Sequence, residues 1–352
     1  MHGVKGVDGL KYATRRFASR LLFVSGAADA YRRMVLRKKL IVLMYHRVIP
    51  RVEWDASPSS EGMRVDSAVF EKQMAYLKQH FRCLALDDLQ RFVRNRNPFP
   101  QNSCLVTFDD GWKDNYVHAY PVLKRYCMPA VIFLSTGHIG TRKRFWQERI
   151  FSALYGIRKA VGKDPDLSAR YRHIPGVMIT EEISGLPEVK FRERVREQIR
   201  SLKKLPLNRI EPIVDELAAC AGTRLDEEGD PFLSWEDVMT MSRGGVDFGS
   251  HGMSHEILTN ISPEEVSKDV RISKAIIEEK IQKSVYAFSY PNGDHDPAIR
   301  KCIEESGYEI AFGTNKGFAG PDDDPLSLNR VNVHDDVTRE VPMFLSSILG
   351  IL

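Results

Sequence analysis

From Lys39 onward, short apolar runs alternate with segments of helical periodicity, an alternation that points to a parallel sheet with crossover helices. The spacing predicts strands over 40–45, 82–86, 104–108, 130–135, 246–250, 285–289, 309–313 and 328–333. Several of these are apolar throughout, as strands covered on both faces should be. With helices between them they favour a (β/α) barrel over an open sheet, and in both arrangements the loops after the strands carry the chemistry. Helix starts are legible too. Ser262-Pro263-Glu264-Glu265 offers an N-cap, a proline at the first helical position and a capping-box Glu, before a pattern running to about Gln282. Ser234-Trp235-Glu236-Asp237 opens another helix in the same style.

Two regions depart from the alternation. The segment from 140 to about 232 reads as a charged helical insertion punctuated by Pro165, Pro175, Pro187, Pro206 and Pro212. Its Arg192, Arg194, Arg196 and Arg200 are interleaved with Glu193 and Glu197, which predicts a solvated helix face rather than a binding patch. The other region is an arm, residues 1–38, ahead of the main domain at 39–345. The first forty residues hold ten Lys/Arg against two Asp in a chain of net charge +4, so the positive excess belongs to the arm and the remainder is acidic. That distribution argues against a nucleic-acid-binding body. Within the arm Leu10, Ala13, Phe17, Leu21 and Val24 recur at helical spacing among Lys11, Arg15, Arg16 and Arg20, describing a basic amphipathic helix. Two uses stand open for it, docking on an anionic membrane or packing on the body. The apolar run Leu21-Leu22-Phe23-Val24 is shorter than the roughly 7–15 residues of a secretory h-region. The chain is therefore expected in the cytoplasm, with the arm at the inner face of the membrane if it docks. No stretch approaches the roughly 20 apolar residues of a spanning helix. Cys83, Cys104, Cys127, Cys220 and Cys302 are scattered without a C-x-x-C pair and read as reduced structural thiols.

Four strand ends carry candidate chemistry. Thr107-Phe108-Asp109-Asp110-Gly111 places adjacent carboxylates at the mouth of an apolar strand, where like charges repel unless one binds a cation or a proton. An Asx-turn with a helix N-cap would use the same residues. Ser250-His251-Gly252-Met253-Ser254-His255 puts two imidazoles four residues apart, able to meet at one divalent metal if the segment turns helically. Phe288-Ser289-Tyr290-Pro291-Asn292-Gly293 breaks a strand into a turn that could present backbone N–H groups to an oxyanion, or be an ordinary turn. His46, in Tyr45-His46-Arg47, is either a proton donor or a histidine held at the edge of the core.

In this order the four motifs resemble the NodB-homology polysaccharide deacetylases, carbohydrate esterase family 4. The likeness extends from Leu40 to about Val333 outside the insertion, and Asp114-Asn115-Tyr116, Pro121-Val122-Leu123 and Gly307-Tyr308 agree with it. It implies a distorted (β/α)7-type barrel, an N-acetylated carbohydrate substrate, and one divalent metal held by Asp110, His251 and His255. Zinc is foremost, with cobalt, nickel, iron and manganese also suited. Asp109 is then the general base, and the backbone N–H of Asn292 stands where the oxyanion would form. Many members carry Arg where Ser289 stands, and Arg330 is the candidate to orient Asp109 in its place. The resemblance assigns the acid to His46 in preference to His334, whose Asp335-Asp336 neighbours suggest a strand-end turn. Two alternatives accompany the deacetylase reading. One is a deacylase or deformylase of a lipid-linked sugar at a membrane surface. The other is an inactive carbohydrate-binding module, against which the presence of Asp109, Asp110, His251 and His255 together argues.

Overall fold

The computed structural model describes residues 7–54, 62–164, 185–222 and 231–352. The first six residues of the arm, and Pro165 and Pro175 of the insertion, lie outside them. The strands are β1 (Leu40–Tyr45), β2 (Arg47–Ile49), β3 (Arg64–Asp66), β4 (Arg82–Cys83), β5 (Ser103–Phe108), β6 (Val131–Leu134), β7 (Asp247–Ser250), β8 (Ala287–Ser289), β9 (Ile310–Phe312) and β10 (Val331–Asn332). Seven form one parallel path, β10-β1-β5-β6-β7-β8-β9, with β4 added on β5. β2 and β3 make a separate parallel pair, which their three-residue length hid from the sequence pattern. β4 is shorter than predicted, because a helix takes over at Leu86.

Side-chain alternation divides the core. Ile41, Leu43 and Tyr45 of β1 and Cys104, Val106 and Phe108 of β5 join the cluster that includes Phe70 and Met74 of the outer helix Ser67–His80. The alternate residues Leu40, Val42 and Leu105 pack with Val131, Phe133, Ala287 and Phe312 in a second cluster. Leu86 and Leu89 from the helix Leu86–Arg94 belong to it as well. One set faces the helices and the other fills the barrel, the period-two division expected of strands covered twice. The barrel is distorted at its seam. β9 and β10 share no ladder, and single hydrogen bonds stitch the gap: Leu328 N–H to Ala311 O (2.9 Å) and Gly313 N–H to Leu328 O (3.0 Å).

The helix Pro263–Ile281 begins at Ser262, whose hydroxyl accepts from Glu265 N–H (3.3 Å) while the Glu265 carboxylate accepts from Ser262 N–H (2.9 Å). In the insertion, helices Trp146–Lys163, Glu188–Leu202 and Leu207–Ala221 share a core of their own, built from Ile150, Leu154, Phe191, Val195, Val214 and Leu217. Pro187 and Pro206 sit at the N-caps of the second and third. In the arm, the helix Val7–Val24 lies along the C-terminal helix Val341–Ile348, held by Arg15 on the Leu352 carbonyl (2.8 Å) and by Arg16 and Arg20 on Glu340 (2.6 and 2.9 Å). Leu22 and Phe23 face the body, and the stripe Leu10, Phe17, Leu21 and Val24 is left exposed. Among the described residues no helix is long and apolar enough to cross a membrane.

Candidate active site

Asp109 continues the inward column of β5, two residues beyond Thr107 and four beyond Leu105. Just above the apolar layer, the inward positions therefore turn polar. Asp109 is buried, and Arg330, fully buried itself, donates to both its oxygens (2.8 and 2.7 Å). Arg330 also donates to Gly313 O (2.9 Å) and to the Ser289 hydroxyl (2.8 Å), which lies 3.3 Å from Asp109 Oδ2. A bidentate guanidinium fixes a carboxylate in plane as well as in charge. Burial works to raise the Asp109 pKa, but Arg330, followed by His251, overrides it and holds the carboxyl below the usual range.

Asp110 is turned away from its neighbour by a left-handed backbone (φ 78°), which the following Gly111 continues (φ 80°). A side chain at Gly111 would meet Ile139 Cδ1 at 2.7 Å and Leu134 Cδ2 at 2.9 Å, so glycine is required both by conformation and by space. Trp112 Nε1 donates to Asp110 Oδ2 (2.8 Å). The other oxygen, Oδ1, is buried without a hydrogen-bond partner, and lies 3.5 Å from His251 Nε2 and 3.4 Å from His255 Nε2. Burial opposes ionisation of Asp110, yet the two imidazoles bring its pKa well below the usual range. His251 Nδ1 lies 2.7 Å from the Ser289 carbonyl, which sets Nε2 as the ring nitrogen free to coordinate. His255 also has a positive φ (56°).

Asp110, His251 and His255 each offer one ligand atom, all within 4.8 Å of one another. Donors at about 2.1 Å from a tetrahedral cation stand roughly 3.4 Å apart, so the two measured separations from Asp110 Oδ1 suit a zinc-sized ion. The orphaned carboxylate oxygen between two imidazoles is the observation that makes the site fit a cation rather than a hydrogen-bonded triad. Asp269 braces the histidine loop, accepting from Met253 N–H (2.9 Å) and the Ser254 hydroxyl (3.2 Å). The sequence reading missed it, although an acid on the apolar stripe Val266, Val270 and Ile277 of the helix Pro263–Ile281 was a usable signal.

Asp109, Asp110, His251 and His255 open into a cleft of about 400 Å³ that His46 and Asn292 also line. His46 Nδ1 is buried without a hydrogen-bond partner, and burial lowers the ring's pKa against the pull of Asp110 and Asp109. His334 does not line the cleft; it pairs with Asp336 (3.0 Å). Asn292 has φ 60°, with its side-chain oxygen accepting from Lys203 Nζ (2.6 Å). The expectation of a solvated arginine face on the insertion needs correction. Arg192, Arg196 and Lys203 line the cleft beside Phe151, Val195 and Ile199, whereas Arg194 and Arg200 are exposed. The helix Glu188–Leu202 is thus a roof, turned inward because it packs on the core of the insertion and not on the barrel. Asn260, after the histidine loop, fastens it by donating to the carbonyls of Lys203 (2.9 Å) and Leu205 (3.2 Å).

Known proteins agree with this architecture. Streptococcus pyogenes deacetylase PplD superposes with a TM-score of 0.56 over 88% of this chain and 98% of that one, at 18% identity. IcaB from Ammonifex degensii gives 0.56 over 89% and 97%, at 20% identity. At such identities the likeness is one of fold. YxkH of Bacillus subtilis is 22% identical over 296 residues, 84% of this chain and 71% of that protein. A shorter match, 32% identical over 108 residues, joins 28% of this chain to 37% of the poly-beta-1,6-N-acetyl-D-glucosamine N-deacetylase of Staphylococcus aureus. The chain thus spans little more than a third of that relative's length. The family model described as polysaccharide deacetylase matches residues 96–172 and 213–311, half of the chain, and the chain belongs to the polysaccharide deacetylase family.

Proposed function

We propose that the protein removes the N-acetyl group of an amino sugar, in a glycan or glycoconjugate, by metal-assisted hydrolysis. The observation that carries the reading is the unlike fate of two adjacent carboxylates: Asp109 clamped by Arg330, Asp110 left with an unpartnered oxygen between two imidazoles. Asp110, His251 and His255 would hold a divalent cation, zinc foremost, which when bound would supply Lewis acidity to a water and to the acyl carbonyl. Asp109, ionised and held in plane, accepts the proton from that water. His46 returns a proton to the departing amine, and the Asn292 backbone N–H donates to the oxyanion. The named activity of the Staphylococcus aureus relative supports an N-acetylated glycan as the substrate class.

Acetate release should be measured across chitooligosaccharides and β-1,6-linked N-acetylglucosamine oligomers, with chelated and metal-restored protein. Release that disappears on chelation and returns with zinc or cobalt is expected. Metal-loaded protein that releases acetate from none of them would overturn the reading, and formate release from N-formylated sugars would replace it with a deformylase.

A second reading concerns place. On the arm helix Leu10, Phe17, Leu21 and Val24 are between 61% and 85% exposed, while the opposite face grips the body. An apolar row flanked by Lys11 and by the partly exposed Arg16 and Arg20, which also pair with Glu340, fits the surface of an anionic membrane. The full chain should float with phosphatidylglycerol vesicles and not with phosphatidylcholine alone, and Phe17→Gln with Leu21→Gln should abolish flotation without loss of fold. Flotation unchanged by the pair of substitutions would contradict this placement.

A further inference from the structure

The left-handed backbone at Asp110 and Gly111 reverses the chain after β5, so that the side chain two positions on returns to the Asp110 carboxylate. That side chain is Trp112. It is buried, and its Nε1 donates to Asp110 Oδ2 (2.8 Å) in the interior, where an indole N–H left without an acceptor is costly. The ring is held on several sides. The Arg47 guanidinium carbon stands 4.5 Å from its centroid, Phe232 stacks on it at 4.7 Å and 22°, and Phe145 meets it edge-on at 5.3 Å. Phe145 and Phe232 are the two roots of the insertion. Phe145 is the N-cap of the helix Trp146–Lys163, and Phe232 lies just ahead of the helix Trp235–Arg243 that leads back to β7. The returning chain bonds to the turn on both sides of the indole, Lys113 N–H to Pro231 O (2.9 Å) and Leu233 N–H to Gly111 O (2.9 Å). Phe145 also lies against the His255 ring, with centroids 4.6 Å apart.

We propose that Trp112 is a positioning residue for the metal, one that makes Asp110 a ligand through a single oxygen, and that the insertion sets this mode of ligation through Phe145 and Phe232. The inference rests on the reading that Asp110, His251 and His255 hold a divalent cation. Its own content is which oxygen of Asp110 serves and what keeps the other away. A carboxylate with both oxygens free can close on a cation with both and so take two places around it. With Oδ2 held by the indole, Oδ1 alone faces His251 Nε2 and His255 Nε2 (3.5 and 3.4 Å). Three single-atom donors leave the open place that a hydrolytic zinc site needs. The insertion thus bears on the site twice, as a roof over the cleft and as a clamp on the group that orients a ligand.

Cobalt titration of the metal-stripped full chain against a competing chelator, read by visible absorption, tests this on Trp112→Phe, which keeps an aromatic ring and removes the N–H. The variant should still take one equivalent of cobalt, but about tenfold or more weakly than wild type, because loss of a group that orients a ligand weakens the site. Its bands should also be less intense, as Asp110 closes on the ion with both oxygens. Phe232→Leu keeps the N–H and loosens the stack, so it should change the spectrum in the same direction by less, and it carries the test where Trp112→Phe does not fold. Phe191→Leu, in the insertion's separate core, should lower the melting temperature and leave the spectrum as in wild type, which separates positioning from stability. A wild-type spectrum in folded Trp112→Phe, or in Phe232→Leu where the first variant does not fold, would overturn the inference and leave the metal reading standing. The same spectral change in Phe191→Leu would overturn it as well. A wild-type chain that takes up no cobalt would sink the metal reading and this inference together.

Discussion

The floor and the roof of the cleft are built by opposite means. On the floor the chemical groups sit at strand ends and several are braced by neighbours: Asp109 by Arg330 and Ser289, one oxygen of Asp110 by Trp112, His251 by the Ser289 carbonyl, and the loop after β7 by Asp269. Left-handed backbone at Asp110, His255 and Asn292 is tolerated there because the surrounding barrel enforces it. On the roof the polar groups project from a helix whose stability comes from a separate small core, and they are half-exposed. A rigid floor suits a reaction that tolerates little misplacement, whereas the roof takes its stability from a core of its own and meets the floor where Lys203 Nζ donates to the Asn292 side chain (2.6 Å).

Substitutions should separate the two regions, beginning on the floor. His255→Ala is expected to abolish both stoichiometric metal and turnover. Asp109→Asn should keep the metal, by elemental analysis, and lose turnover by a factor on the order of 10² or more; equal loss of metal in both variants would exchange the roles of the two aspartates. Arg330→Met strands a buried carboxylate, at a cost of about 3 kcal/mol or more by denaturant titration, together with a fall in kcat. On the roof, Val214→Ala should cost about 1–3 kcal/mol through the cavity it leaves and raise KM with kcat and metal content close to wild type. A fall in kcat with KM unchanged would erase the distinction between the regions.

The smallest effect lies at their junction. His138 is buried against Phe145 and Phe232, with Nδ1 2.8 Å from the Lys143 carbonyl. Burial, aided by His255 and opposed by the Lys143 carbonyl, pushes its pKa down to about 4 from 6.5. Between those values the unfolded chain binds more protons than the folded one, so the stability His138 contributes is present above pH 6.5 and is lost as pH falls toward 4. Thermal unfolding across that window should be less steep in pH for His138→Gln; an unchanged slope would place the acid sensitivity elsewhere.

What the sequence made legible follows the same division. Strand runs such as 104–108 and 246–250 lead directly into paired carboxylates and paired histidines, so these candidates could be picked out from local pattern, and their combination outweighed the turn-and-cap alternative. Arg330 stands 221 positions from Asp109, and no local pattern joins them; only the want of an arginine at Ser289 suggested that one had to come from elsewhere. The roof was misread because Arg and Glu interleaved along a helix look the same whether it faces water or a cleft; only the tertiary placement of Val195 and Ile199 tells them apart. The weak seam between β9 and β10 was equally hidden, since periodicity reports which residues are buried but not which strands pair.

The central claim is that one aspartate and two histidines from distant strand ends hold a single divalent ion. Cobalt titration of the metal-stripped chain, followed by the visible absorption of the bound ion, tests it most directly. One equivalent should bind with the intense bands of a low-coordinate site in the wild type and in Asp109→Asn, and none in Asp110→Ala or His251→Ala variants that remain folded. Binding at the same stoichiometry and with the same spectrum in all four proteins would contradict the account.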